Sequence, residues 1–308
     1  MFLNVKNVRL LHRRQDNMKR IALGVLICLI AGLLAVQAVA ADTVRLQYKF
    51  KPGEVKNYSV REKNDCDKFI GGMALHSDWD AVLVLKVLTV LPDGGAEIEA
   101  SYESGTMRVL NTTHKIKPGE VAPVKFKVTK YGKILDLESV LENPDACVEV
   151  RTESVEGPNK TANSLKTNVY QSVLRSFWQE FPSKDVKAGE KWKQDVLSPT
   201  LQGSVSALNE LQKVSGKQNQ KKVLSILRTI NEKSPSTPPD PQGPFGSISE
   251  KSKTMFSVDK GQIESVTNSG KLLMQGITVP SEDGQETQMD MTITYSTSIT
   301  LLASGTKK

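Results

Sequence analysis

The sequence feature that most constrains the fold is a long alternation of side chains near the C-terminus. Between residues 289 and 301, every second side chain is apolar or threonine, and those in between are polar. This period of two residues is typical of a β-strand with one buried face. At about 3.3 Å per residue, such a strand extends roughly 40 Å, a length typical of large antiparallel sheets. The residues of the predicted buried face are Met289, Met291, Ile293, Tyr295, Thr297, Ile299 and Leu301.

Shorter alternations at residues 44–50 and 96–102 predict further strands. Residues 81–91 are apolar at nearly every position, which is typical of a strand covered on both faces. A turn with proline and glycine at 51–54 follows the segment 44–50. The chain is therefore predicted to be mainly β, either as a large antiparallel curled sheet or as two packed β lobes.

One segment departs from the period of two. Between residues 162 and 181, apolar side chains recur every four residues, and a second apolar stripe adjoins the first. This pattern predicts a central amphipathic helix that ends at Pro182, because proline cannot continue the helical hydrogen bonds. If there are two lobes, the helix would join 41–160 to 184–308. The two stripes contain Leu165, Val169, Val173, Phe177 and Phe181, and Tyr170, Leu174 and Trp178.

A short sequence repeat and a proline-rich segment also bear on the organisation of the chain. Residues 49–55 and 115–121 are identical at six of seven positions, and a shortened copy follows at 187–190. The repeat indicates either duplication of a β unit or repeated use of one turn type. Residues 234–246 contain five prolines and predict an extended loop.

The first 40 residues predict a leader that contains a secretion signal. A basic start at 18–20 precedes an uncharged apolar run at 21–36, and Ala-Val-Ala at 38–40 supplies the small residues of a cleavage site. We expect residues 18–40 to be a signal peptide cleaved before Ala41. The protein is therefore expected to be exported, to the periplasm or outside the cell. Only an uncleaved signal would hold it in a membrane.

Removing the leader also changes the charge of the protein. The whole chain has a formal net charge of +7, but six of its lysines and arginines lie in residues 1–40, together with one aspartate. The mature chain therefore has a net charge of about +2, with basic and acidic residues interspersed. No nucleic-acid partner is expected.

Two cysteines, Cys66 and Cys147, remain after the predicted cleavage. In an oxidising compartment they predict one disulfide, which would close a loop of about 80 residues and contribute roughly 4 kcal/mol. The alternative is two unrelated buried thiols.

The sequence contains little that supports catalysis. The mature chain has two histidines, His76 and His114, and no HExxH, GxSxG, CxxC, P-loop or GxGxxG motif. We expect no enzymatic activity and no cofactor. The best metal-site candidates are His76, Asp78 and Asp80, because alternate residues of a strand share a face and oxygen ligands with one imidazole suit calcium or zinc. A solvated polar edge is the alternative.

The predicted helix and the methionine-rich last strand offer a site for an apolar ligand. A curled sheet with an amphipathic helix on its concave face can hold a lipid chain between them, and methionines adapt to irregular apolar shapes. Alternatively, the helix fills the sheet and completes a dry core. The candidate ligand-binding residues are Val169, Val173, Phe177, Trp178, Met289 and Met291.

A short motif follows the predicted helix. Phe181-Pro182, Val186, Gly189 and Trp192 form the pattern FP-x3-V-x2-G-x2-W. Together with the signal peptide and flanking strands, this pattern resembles exported bacterial β-rich proteins of unknown function. The resemblance implies an envelope location and assigns no catalytic residues. A looser similarity, in architecture alone, is to periplasmic lipoprotein carriers with an open half-barrel.

These observations favour a non-catalytic function, that of an exported cell-envelope protein that binds a partner or acts as a scaffold. The first alternative is a periplasmic carrier of a lipid or another apolar ligand. The second is a hydrolase that depends on carboxylates or on a metal ion.

Overall fold

The structure is a computed structural model, and it describes residues 43–67, 74–110, 112–135, 137, 146–153, 162–198, 203–215, 223–233, 245–280 and 286–303. Residues 44–308 form one compact unit, and residues 1–43 form another. The predicted leader lies outside the described residues, as do residues 234–244 of the predicted proline-rich loop.

Fourteen strands and one short helix make up the described part of the unit that begins at Val44. The strands are β1 (Val55–Cys66), β2 (Leu75–Val90), β3 (Ala96–Val109), β4 (Thr112–Ile116), β5 (Val124–Val128), β6 (Ile134–Leu135), β7 (Cys147–Glu153), β8 (Ala162–Asn168), β9 (Lys191–Ser198), β10 (Gly203–Ser215), β11 (Val223–Lys233), β12 (Phe245–Ser257), β13 (Gln262–Pro280) and β14 (Glu286–Leu301). The helix is α1 (Gln171–Phe177).

Twelve of the strands form one antiparallel sheet, which confirms the predicted fold class. The order is β6-β5-β3-β2-β1-β14-β13-β12-β11-β10-β9, with β4 also paired to β3, and β7 and β8 form a separate hairpin. Because β1 pairs with β14, the first and last strands meet inside the sheet. The N-terminal and C-terminal strands therefore belong to one sheet.

The sheet curls around its apolar face, which we call the inner face. It carries Val60 of β1 and the residues paired with it across the sheet, among them Ile299. Phe126 of β5 and Phe256 of β12 are separated by five strands, which a flat sheet would place about 29 Å apart. In the structure, two rings connect them: Trp178 lies 6.1 Å from Phe126, and Tyr48 lies 4.9 Å from Trp178 and 5.4 Å from Phe256, measured between ring centroids. The sheet must therefore bend to bring both phenylalanines to one core.

The helix is shorter than its predicted range, which was wrong at both ends. Residues 162–168 form β8 instead and pair with β7. This segment contains alanine, lysine and leucine, but also two asparagines, a serine and a threonine, which are poor helix formers. At the other end, Trp178 has an extended backbone, with φ −83° and ψ 120°. Extended backbone there lets Trp178 and Phe181 reach Tyr48.

The two KPGE segments and the related KAGE segment at 187–190 are three copies of one turn. Glu54, Glu120 and Glu190 each donate a backbone hydrogen bond to the lysine three residues earlier, at 3.0–3.1 Å. The glycine before each glutamate has a φ between 74° and 81°, as a type II turn requires at that position. The shared turn geometry accounts for the repeated sequence.

The FP-x3-V-x2-G-x2-W motif holds the segment after α1 on the inner face. The ring of Phe181 stacks on Tyr48 at 5.2 Å and meets Phe256 edge-on at 4.9 Å. Val186 forms a backbone bridge to Val44, and the indole nitrogen of Trp192 donates to the Glu180 carbonyl at 2.9 Å. The motif therefore has a structural explanation.

Within the described residues, no helix is long and apolar enough to cross a membrane.

Candidate ligand-binding site

A row of polar side chains crosses the inner face. Six residues on six neighbouring strands are directly paired, each with the next, and a tryptophan stands at either end of the row, Trp79 on β2 and Trp192 on β9. The five residues that follow Glu62 are buried. We call this set the polar row, and its members are Glu62, Thr297, Asn268, Ser252, Arg228 and Asn209.

Helix α1 places its own polar edge on this row. The Ser172 hydroxyl donates to the Glu62 carboxylate, the Asn268 amide donates to the Ser176 hydroxyl at 3.3 Å, and Arg228 donates to the Arg175 carbonyl at 3.4 Å. Positions i, i+3 and i+4 lie on one side of a helix, which explains why these three helix residues act together. The buried apolar residues of α1, Val173, Leu174 and Phe177, belong to the core cluster.

A buried ion pair lies beside the row. Arg228 and Glu250 are 3.0 Å apart, with side chains 1% and 3% exposed. The second carboxylate oxygen of Glu250 accepts a hydrogen bond from the Tyr295 hydroxyl at 2.8 Å. Burial, and then the charge of Glu250, raise the pKa of Tyr295. Both oxygens of Glu250 are therefore occupied.

The position of Tyr295 depends on the glycine opposite it. Gly270 pairs with Tyr295 on one side and with Glu250 on the other. A Cβ atom on Gly270 would lie 2.4 Å from the Cζ and hydroxyl oxygen of Tyr295. The absence of a side chain thus lets the ring lie across β13 and reach Glu250.

Arg175 is a second cation at this site. Burial lowers its pKa, and the charge of Arg228 lowers it further, while Glu250 and Tyr295 act in the opposite direction. Arg175 forms no salt bridge with any carboxylate in the part of the chain that the structure describes. Its Nη2 atom is buried and has no hydrogen-bond partner among the described residues.

Further buried polar atoms of this region have no hydrogen-bond partner within the described ranges. An unsatisfied buried donor or acceptor costs about 1–3 kcal/mol, and native proteins have few of them. Four of them belong to the polar row, and such a group of atoms indicates a place where polar groups from outside the chain can bind. These four are Arg228 Nε, Asn209 Oδ1, Ser252 Oγ and Asn268 Oδ1, and a fifth, Thr254 Oγ1, lies two positions from Ser252 on β12.

An apolar strip continues the inner face beyond the polar row. It begins at Leu272, four residues past Asn268 on β13, or about 13 Å along the strand. Ile248 and Leu272 are buried, whereas the methionines and Ile293 are only partly buried. The strip consists of Ile248, Leu272, Ile293, Met274, Met291 and Met289.

A cavity of about 210 Å³ lies at the Glu62 end of the polar row. Its lining combines polar groups of β1, β2 and α1 with apolar side chains of β3, and Arg175 contributes to it. A much smaller cavity, of about 30 Å³, lies beside Phe177 and Trp178. The core on the apolar side of α1, around Phe177, is thus nearly filled.

The residues predicted to bind a ligand fall into separate regions. Val173, Phe177 and Trp178 belong to the closed core. Val169 is also buried, although it lines the larger cavity. Met289 and Met291 lie on the apolar strip, away from the filled part of the core. The alternative of a helix that fills the sheet and completes a dry core describes the region on the apolar side of α1.

The residues predicted to bind a metal occupy alternate positions of β2, on the face of the strand that does not carry the buried Trp79. His76 bonds Asp65 through Nδ1, which raises its pKa, and its Nε2 lies 3.4 Å from Asp78. Asp80 instead pairs with two arginines on the neighbouring strands, Arg61 at 3.2 Å and Arg108 at 3.6 Å. Among the described residues, no three side chains converge as a metal site requires.

The structure describes both cysteines of the predicted disulfide. Cys66 is buried at the end of β1, and Cys147 is partly buried at the start of β7. The disulfide between them stays a prediction.

The comparisons with known proteins do not place the chain in a family. No protein-family model matches it, and no curated protein matches it. The chain is similar to a solved structure titled "Lipid-protein interactions in lipovitellin", with a TM-score of 0.45 and 10% sequence identity. The match covers 83% of this chain and 26% of that chain, so this chain spans about a quarter of its length.

Proposed function

We propose that the protein binds an apolar, lipid-like ligand on the inner face of its sheet and that it acts as a non-catalytic carrier. One observation carries this proposal. The inner face continues past the helix into the apolar strip, whose methionines and Ile293 are only partly buried. The buried side chains of Val205, Ala207 and Ile230 belong to the same apolar cluster as Ile248 and Leu272 of the strip.

The composition of the strip suits an acyl chain. Burying a methylene group contributes about 0.8 kcal/mol, so a chain of several carbons gains enough from such a surface to bind. Met274 pairs with Met291 across β13 and β14. Methionine is flexible and polarizable, so these two side chains can adapt to ligands of different shapes.

A scaffold that binds other proteins through its outer surface has less support. The large apolar side chains that are exposed in the described residues stand singly, on different elements. Scattered apolar residues are normal on a protein surface, whereas a contiguous patch indicates a binding site. The exposed ones are Val55, Leu110, Leu135 and Leu208.

Binding of the neutral apolar fluorophore N-phenyl-1-naphthylamine tests the proposal. We expect saturable binding by the wild type and an affinity at least about tenfold lower for Met291→Asp, because the short aspartate side chain would place a charge on the strip. Leu208→Asp is the matched control. Leu208 is 41% exposed, and because side chains alternate along β10 it lies on the opposite face of the sheet from its neighbours Ala207 and Asn209, which are inner-face residues. This variant should bind the probe like the wild type.

Two results would contradict the proposal. The first is no saturable binding by the folded wild type. The second is an equal loss of binding in both variants, which would show that the strip has no special role.

A further inference from the structure

Arg175 and the polar row indicate the charge of the ligand. We infer that the ligand is an anionic amphiphile, whose acidic head group binds Arg175 and whose apolar chain lies on the strip. This inference rests on the proposed function, because the head-group site adjoins the proposed surface for the chain.

The first step is that none of the three carboxylates near Arg175 is paired with it among the described residues. Asp78 lines the same cavity as Arg175, and its carboxylate lies 3.4 Å from the Nε2 atom of His76. Glu250 accepts from Arg228 through one oxygen and from Tyr295 through the other. Glu62 accepts from Asn64 at 2.9 Å and from Ser172. None of these carboxylates forms a salt bridge with Arg175.

The second step is that Arg175 has donor capacity to spare. Its Nη2 atom is buried without a partner in the described part of the chain, and the Nε of the nearby Arg228 is in the same condition. A guanidinium group presents its donors in a planar fork that matches two oxygens of a carboxylate or phosphate. An anion would supply the missing acceptor and offset the repulsion between the two arginines.

The third step is the proximity of this cation to the apolar strip. Arg175 and Tyr295 both contact the buried ion pair: Arg228 donates to the Arg175 carbonyl at 3.4 Å, and Tyr295 donates to Glu250 at 2.8 Å. Tyr295 also packs against the apolar cluster at the base of the strip, and Ile293 lies two positions further along the same face. A head group at Arg175 therefore has its chain directed along β14 toward Met291.

Displacement of N-phenyl-1-naphthylamine by oleate, oleyl alcohol and oleylamine tests the inference, since the three share a chain and differ in head group. We expect oleate to bind the wild type at least about tenfold more tightly than oleyl alcohol, and oleylamine to bind most weakly. Arg175→Met should abolish the preference for oleate and leave oleyl alcohol within about twofold. Arg175→Lys should retain part of the preference.

Arg61→Met is the control, because Arg61 lies on the other face of β1 with its side chain 74% exposed. It should leave all three affinities unchanged. Circular dichroism and thermal unfolding verify that the variants fold. If Arg175→Met does not fold, Arg175→Lys decides the result: a preference for oleate as large as that of the wild type would contradict the role of the guanidinium fork.

The outcomes separate the two proposals. Equal binding of oleate and oleyl alcohol to the wild type would overturn the anionic head group and leave apolar-ligand binding intact. A preference for oleylamine, or a preference for oleate that persists undiminished in Arg175→Met, would also overturn it. Binding of none of the three, together with no binding of the fluorophore, would overturn the proposed function itself.

Discussion

At the scale of single residues, the inner face contains a buried ion pair, formed by Arg228 and Glu250. Both side chains are almost fully buried, and their charges are 3.0 Å apart. Taking an ion out of water costs several kcal/mol, and only close pairing with further hydrogen bonds offsets that cost. Tyr295, held over Gly270, provides one such hydrogen bond.

We expect Glu250→Gln to lower the free energy of unfolding by about 3–5 kcal/mol, because Arg228 would keep a buried charge without its carboxylate. Urea unfolding followed by tryptophan fluorescence measures this change. The double variant Arg228→Met/Glu250→Leu is the control, since it removes both charges, and it should recover most of the loss. A loss of less than about 1 kcal/mol in Glu250→Gln would contradict the buried pair.

At the scale of elements, α1 is stable only through its packing. A helix of seven residues is far below the length at which helices persist alone in water, about 12–15 residues, and α1 has no side-chain N-cap. Phe177 is 2% exposed and meets Tyr58 and Trp178 edge-on, at 4.8 Å and 5.1 Å. The helix therefore exists because the sheet curls around its apolar side.

Phe177→Ala is expected to destabilise the protein by about 3–5 kcal/mol, since the cavity left behind adds to the lost burial. Val55→Ala is the comparison, because Val55 is 53% exposed, and it should change stability by no more than about 0.5 kcal/mol. Both changes can be measured by urea unfolding. Similar small losses in the two variants would mean that α1 does not fill the core.

At the scale of the whole molecule, the compact unit that contains the sheet begins at Val44. The signal cleavage predicted before Ala41 would therefore leave every strand of the described residues in place. Val44 itself is buried and bridges to Val186, so the mature chain would begin three residues before a residue that is fixed in the fold. This arrangement supports the proposal that the protein functions after export.

N-terminal sequencing of protein recovered from its own host tests this proposal. We expect a mature N-terminus at Ala41 or within a few residues of it, because the residues at 38–40 fit a signal peptidase site. Recovery in a membrane fraction with Met1 or Met18 intact would indicate an anchor instead of a cleaved signal. Recovery of the uncleaved chain from the cytoplasm would contradict export.

Local patterns of the sequence determined the fold class and the existence of several elements. The alternation at 289–301 became β14, and residues 81–91 lie mostly within β2, because side-chain period depends only on the backbone of the strand itself. The helix was predicted too long for the same local reason. A spacing of four residues indicates which side chains could share one face of a helix. It contains no information on the pairing of β7 with residues 162–168.

Only the tertiary structure decided the site. Met289 and Met291 could be proposed from the sequence, but the polar row could not, because its members come from six strands between Glu62 and Thr297. Each residue alone is an ordinary polar position, and Gly270 within a strand was the one local hint. Strand order and register place Arg228 beside Glu250 and within hydrogen-bond distance of α1. Register is a property of strand pairs that lie far apart in the chain, so no single segment encodes it.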